Sequence, residues 1–187
     1  MRIGIYVGSF DPVHVIHKNI MDYLVNNNFV DKIIVVATGN YWDKSVSVSL
    51  DERIKMLKLI ETDYIIVDNK LNNCEYTYEI LDKLKKEYSN DDFYLIIGED
   101  NLLKFHMWKN VDDILKNKII VVKRDEVNCS ELINNFVEKD KFIFVDMNNL
   151  LDVSSSVIRE KIKNNEPVNE YLDSNVLKYI LDNNLYK

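Results

Sequence analysis

Ile3-Gly4-Ile5-Tyr6-Val7 runs without a break into Gly8-Ser9-Phe10-Asp11-Pro12-Val13-His14-Val15-Ile16-His17, and the reading of this stretch decides the fold. The first five residues are almost continuously apolar, the pattern of a strand buried on both faces. Glycine, serine and proline then mark a tight turn. Ile20, Met21, Leu24 and Val25 follow with helical spacing and predict a helix over about 17–27. A strand, a turn and a helix that opens with two imidazoles make a place for an anion. Backbone N–H groups point out of a helix start, the dipole there is positive, and imidazole nitrogens donate to phosphate oxygens. Two histidines at this spacing also suit core packing or a metal; their place at a predicted helix start favours phosphate.

Outward from this stretch, the chain alternates. Strands are expected at 32–37, 64–67, 93–97, 118–122 and 142–145. Helices are expected at 50–61, 76–88, 155–164 and 174–183, the first carried by the spacing of Ile54, Leu57 and Ile60. Apolar strands separated by helices predict an α/β fold, a doubly wound and mostly parallel sheet, in one domain over 1–187. Ligands of such sheets bind beyond the carboxyl ends of the strands. That rule selects Gly8 to His17, Thr38 to Lys44 and Gly98 to Trp108. The longest irregular stretch, Thr38 to Ser49, reads as a loop over the site.

Composition narrows the partners. The net charge of −7 argues against broad nucleic-acid binding, which relies on many Lys and Arg, yet leaves room for a positive pocket that takes a small nucleotide. No apolar run approaches the ~20 residues of a membrane span, and no signal-peptide pattern opens the chain, so a cytoplasmic protein is expected. Cys74 and Cys129 form no CxxC pair and read as ordinary thiols; no protein-held metal site is expected.

GxGxxG and GxxxxGK[ST] are both absent, which removes the dinucleotide fingerprint and the P-loop. Near the other end, Val153-Ser154-Ser155-Ser156-Val157-Ile158-Arg159 places serines at a helix start with an arginine one turn in, a second anion cradle. Serines at that position are also ordinary helix caps. Gly98 and Asp100 follow a strand end, where glycine allows close approach to a ligand and a carboxylate accepts from ribose hydroxyls; Asp100 would equally cap the helix that begins near Asn101.

Gly-Ser-Phe-Asp-Pro-x-His-x-x-His and the serine-rich turn with its x-x-Arg resemble the two signatures of the nucleotidyltransferases related to class I aminoacyl-tRNA synthetases. Gly98-Glu99-Asp100-Asn101 through Trp108, the Tyr76-Thr77 pair and the ending Val176, Tyr179-Ile180, Leu185-Tyr186 are similar to the bacterial nicotinate mononucleotide adenylyltransferases in particular. The resemblance covers essentially the whole chain. It implies an adenylyltransferase that joins ATP and nicotinate mononucleotide to give nicotinate adenine dinucleotide and pyrophosphate, with Mg2+ carried by ATP. It also implies that residues 150–187 form a helical segment completing the ATP site.

On that resemblance His14, His17, Lys44 and Arg159 carry catalysis, with His17 near the α-phosphate. Gly8, Ser9, Phe10, His17, Gly98, Asp100, Ser155, Ser156 and Arg159 bind ATP, although for Phe10 core packing is an equal reading. Asn40, Lys44, Thr77, Trp108 and Arg124 fall at the nicotinate mononucleotide end, with Trp108 a stacking platform for the pyridine ring. Arg53 matches the arginine of the helix after the loop. Transfer needs no protein base, because the attacking phosphate is already ionised; positioning and electrostatic stabilisation suffice.

Departures from the pattern are specific. Ile16 stands where the family has glycine and is expected to narrow the adenine site or reshape the helix start. Tyr41-Trp42-Asp43 replaces a loop with proline and histidine, Asp125-Glu126 replaces the Pro-Gly after Arg124, and Asp173 replaces a proline. Two alternatives remain: another acceptor, nicotinamide mononucleotide or phosphopantetheine, and a nucleotide-binding module without turnover. Trp108 and Tyr76-Thr77 favour nicotinate. Nucleic acid and membranes are not expected partners; a homodimer is left open.

Overall fold

The computed structural model describes residues 1–39, 46–123, 133–147 and 153–187. Its six strands are β1 (Arg2–Gly8), β2 (Lys32–Ala37), β3 (Ile65–Asp68), β4 (Asp92–Gly98), β5 (Lys118–Lys123) and β6 (Phe142–Asp146). The helices are α1 (Val15–Asn26), α2 (Leu50–Lys58), α3 (Thr77–Glu87), α4 (Glu99–Lys104), α5 (Val111–Ile114), α6 (Ser155–Lys163) and α7 (Ser174–Asp182). The strands lie in the order β3-β2-β1-β4-β5-β6, and every pairing is parallel. The expected doubly wound architecture is the one observed.

Alternation within each strand explains the two-sided cover. In β2, Ile33, Val35 and Ala37 point to one core and Ile34 and Val36 to the other. The first core takes Ile20, Met21 and Leu24 of α1, Met56 and Leu57 of α2, Ile158 and Ile162 of α6, and Val176 and Ile180 of α7. The second takes Ile80, Leu81 and Leu84 of α3, Leu102 of α4 and Ile114 of α5. Chain order reverses between β1 and β4, which are neighbours with Tyr6 opposite Ile96. That reversal opens a crevice at the carboxyl ends of these two strands, where ligands of such sheets bind. No helix among the described residues is long and apolar enough to cross a membrane.

With only four glycines in the chain, asparagine ends α1, α6 and α7. Asn28, Asn165 and Asn184 have φ of 58°, 57° and 51°. Each sits one residue past its helix cap. The next residue donates back to the last turn: Phe29 to Leu24, Glu166 to Lys161, and Leu185 to Ile180. This is the Schellman closure, normally served by glycine; asparagine is the side chain that tolerates it best. Many of the asparagines that sequence reading leaves without a role lie on solvated faces, but these three close helices.

Candidate active site

The helix α1 begins two residues earlier than its periodicity predicts, because His14 is extended and serves as its N-cap. The His14 backbone N–H donates to Nδ1 of His17 at 3.2 Å. An imidazole that accepts at Nδ1 carries its proton on Nε2, so His17 is oriented as a donor away from the helix. Phe10 lies edge-on to the His17 ring at 5.0 Å and is itself braced by Tyr6 at 5.4 Å. The His14 and His17 rings lie 3.8 Å apart. His14 and Phe10 are buried and His17 is half-buried, so Phe10 packs in the core and supports His17 from behind.

Gly8 and Gly98 have local reasons. A Cβ on Gly8 would meet the Phe10 ring at 3.2 Å, and Phe10 itself has φ 48°. A Cβ on Gly98 would lie 2.4 Å from Oδ1 of Asp100, whose carboxylate folds back over the strand end. Gly98 caps α4, which starts at Glu99, so Asp100 stands in its first turn and is exposed. The β1–β4 register brings these two glycines to adjacent strand ends.

The penultimate helix meets the first turn directly. Ser155 Oγ donates to the Pro12 carbonyl at 3.0 Å, and Arg159 Nη1 donates to the Asp11 carbonyl at 2.7 Å. Arg159 Nη2 donates to Ser156 Oγ at 3.1 Å, a bond that does not use the Ser156 hydroxyl proton. The helix cap is Ser154, whose Oγ accepts from Val157 N, so Ser155 and Ser156 lie inside the first turn of α6. One expected donor is engaged elsewhere: the Val15 amide at the start of α1 donates to the Tyr171 carbonyl.

Two charged residues that sequence reasoning gave no site role organise this corner. Asp11 is 2% exposed. Its Oδ2 accepts from Ser47 N at 2.6 Å, its Oδ1 from the Tyr186 hydroxyl at 2.9 Å, and Arg159 stands 3.8 Å away. Arg53 is 1% exposed, and its Nη1 donates to the carbonyls of Ser9 and Thr38, each at 2.6 Å. Thr38 in turn donates its amide to Gly8 O. Burial holds the Arg53 pKa below its usual value, and the nearby Asp11 carboxylate opposes that shift. Burial, then Asp11, push the Tyr186 hydroxyl pKa far upward. The readable signal for Arg53 was its place three and four residues before Met56 and Leu57, on the face that α2 buries.

On the side of the second core, Tyr76 caps α3 and its ring lies under Lys109 Nζ at 4.5 Å. This contact brings Thr77, the first residue of α3, into the neighbourhood of half-buried Trp108, which packs against Phe105 at 5.2 Å. Asn40, Lys44 and Arg124 lie outside the described residues. Ile16 is fully buried in the first core, on the same face of α1 as Ile20 and Leu24.

Comparison with known proteins agrees with this fold. The family model described as cytidylyltransferase-like matches residues 5–161. A "Probable nicotinate-nucleotide adenylyltransferase" of Flavobacterium psychrophilum is 34% identical over 194 residues, covering 100% of both chains. One of the same description from Borreliella afzelii is 38% identical over 196 residues, covering 100% of this chain and 97% of its own. Among solved structures, Plasmodium falciparum nicotinic acid mononucleotide adenylyltransferase complexed with NaAD superposes with a TM-score of 0.83 at 25% identity, over 99% of this chain and 97% of that one.

Proposed function

This chain belongs to the cytidylyltransferase-like family and, within it, to the nicotinate-nucleotide adenylyltransferases, and from that premise we propose how its residues perform the reaction. The enzyme joins ATP and nicotinate mononucleotide, a step of NAD biosynthesis. A phosphate oxygen of the mononucleotide attacks the α-phosphorus of ATP. The new P–O bond forms as the bond to the β-phosphate oxygen breaks, and pyrophosphate leaves. The nucleophile is an anion already, so the protein supplies alignment and charge stabilisation.

The observation that carries this reading is the junction of the first turn with α6, where Ser155 and Arg159 bond the backbone of Pro12 and Asp11. Two anion-suited elements, far apart in sequence, share one corner beside the β1–β4 crevice. In the proposed complex His17 Nε2–H points at the α-phosphate and His14 backs it. Arg159, Ser156 and Ser155 take the β- and γ-phosphates, so residues 150–187 complete the ATP site. Gly8, Ser9 and Phe10 shape the turn beneath the phosphates; Gly98 and Asp100 face the adenosine, with Asp100 accepting from ribose. Trp108 stacks on the pyridine ring and Thr77 bonds at that end, with Asn40, Lys44 and Arg124 assigned to the same substrate. Mg2+ bound with ATP would be held beside Ser155, Ser156 and Arg159 through the phosphates they take, and would supply charge neutralisation for the leaving pyrophosphate. The reaction is proposed to run in the cytoplasm.

The test is pyrophosphate release from Mg-ATP with nicotinate mononucleotide, nicotinamide mononucleotide or phosphopantetheine offered separately. Nicotinate mononucleotide is expected to give the highest kcat/KM. No product with it, and product with another acceptor, overturns the assignment.

A further inference from the structure

Asp11 and Arg159 present an anomaly of geometry. A carboxylate facing an arginine ordinarily closes a two-pronged pair at about 2.7–2.9 Å. Here the approach of Arg159 Nη1 to Asp11 Oδ2 is 3.8 Å, although the carboxylate is buried and the guanidinium is within reach of the same residue's backbone oxygen at 2.7 Å. Both oxygens of Asp11 hold other donors, which together fix the orientation of the carboxylate. Ser47 N occupies Oδ2 and the Tyr186 hydroxyl occupies Oδ1.

Tyr186 reaches that position at a conformational cost. It is the penultimate residue, and it follows the closure of α7 at Asn184. Its φ is 65°, a left-handed backbone that is a genuine outlier for a bulky side chain. Such a conformation persists only where its surroundings hold it. The bond to Asp11 is one holder; packing against the first core is another.

We infer that Tyr186 is a positioning residue that keeps Arg159 available to phosphate: its bond to Oδ1 of Asp11 fixes the orientation of the carboxylate, whose Oδ2 stays 3.8 Å from the guanidinium. Arg159 is thereby anchored through the uncharged carbonyl of Asp11, without a direct hydrogen bond to the carboxylate. This rests on the proposed function only in taking the anion to be the triphosphate of ATP. Tyr186→Phe removes one oxygen and leaves the ring packing intact. Asp11 then turns to Arg159, and the guanidinium is lost to the ligand.

The experiment is calorimetric binding of α,β-methylene-ATP to the full chain, with no acceptor present. Tyr186→Phe is expected to weaken binding about tenfold, the scale of one charge-assisted hydrogen bond. In an Asp11→Asn background, where no carboxylate competes, the same substitution is expected to change affinity less than twofold. Equal affinity in wild type and Tyr186→Phe overturns the inference, and so does an equal loss in both backgrounds, which is what a merely structural tail would give. Should Asp11→Asn fail to fold, a crystal structure of Tyr186→Phe decides. Closure of both Asp11 oxygens onto Arg159 supports the inference, and an unchanged 3.8 Å separation overturns it. A wild-type chain that binds no analogue contradicts the functional assignment instead, so the two failures are distinct.

Discussion

The Ser155 hydroxyl donates to the carbonyl of Pro12 at 3.0 Å, a bond that spans 143 positions of sequence. It fixes the start of the penultimate helix against the turn that follows the first strand. Arg159 reinforces it one helical turn further on. Neither bond has a partner nearby in sequence, so both form only when the sheet and its outer helices are assembled. The anion-binding corner is thus a product of the whole fold, and its integrity reports on the fold.

His17 is held by its own helix. Its Nδ1 takes the His14 amide, which leaves Nε2–H as the donor offered to substrate. His17→Ala is expected to lower kcat by at least ~10²-fold, the scale of losing one transition-state donor. His17→Asn keeps an acceptor for the His14 amide and is expected to fall between. Steady-state kinetics with saturating ATP and nicotinate mononucleotide measure both, and circular dichroism checks that α1 survives.

Arg53 is the staple beneath the turn. Two carbonyls, on Ser9 and Thr38, depend on its Nη1. Arg53→Met keeps the volume of the stem and strands both acceptors, and is expected to cost about 3 kcal/mol in urea denaturation. Arg53→Lys retains a charge but not the planar fork, and is expected to cost about half as much. Turnover should fall in both, because the turn carrying Ser9 and Phe10 loses its support.

Asn165 closes α6 in the left-handed conformation at φ 57°. Asn165→Ala puts a Cβ there without the tolerance of asparagine and is expected to destabilise by about 1 kcal/mol. Asn165→Gly is expected to be neutral or to stabilise by a few tenths, about 0.5 kcal/mol at most. Thermal denaturation of the two variants side by side gives the difference with no change in catalysis.

Alkaline pH reads the Tyr186 hydroxyl. Its pKa is raised above the ordinary 10.0, by burial first and by Asp11 second. A raised pKa means the folded state holds a proton that the unfolded state releases, so this contribution is complete below pH 10.0 and is lost as pH rises above it. Wild type is therefore expected to lose stability more steeply above pH 10.0 than Tyr186→Phe. Urea midpoints measured at intervals from pH 8.5 to 11 compare the slopes; parallel curves would contradict the cause assigned to the shift.

Much of this architecture is legible in the sequence, for a physical reason. Strands buried on both faces must be apolar throughout, and Lys32–Ala37 and Lys118–Lys123 announce themselves by that alone. The anion turn is legible because glycine, proline and two histidines rarely coincide by packing demands. What Asp11 and Arg53 bond is not legible, although the spacing of α2 puts Arg53 on its buried face. Their importance lies in partners brought by distant segments, and no local pattern records that Tyr186 or Thr38 will arrive. Ile16 reads differently from two sides. Read against a family motif it is an obstruction; read against the helix, its spacing from Ile20 and Leu24 puts it on the buried face. Gly98 reads as allowing close approach to a ligand, and a Cβ there would also lie 2.4 Å from Oδ1 of Asp100, so the glycine makes room for that carboxylate as well.

The most direct test of the account is a crystal structure with α,β-methylene-ATP bound. The triphosphate is expected between the His17 imidazole and the Ser156–Arg159 turn, with the α-phosphorus open toward Thr77 and Trp108. A triphosphate bound anywhere that leaves His17 and Arg159 without phosphate contact would contradict it.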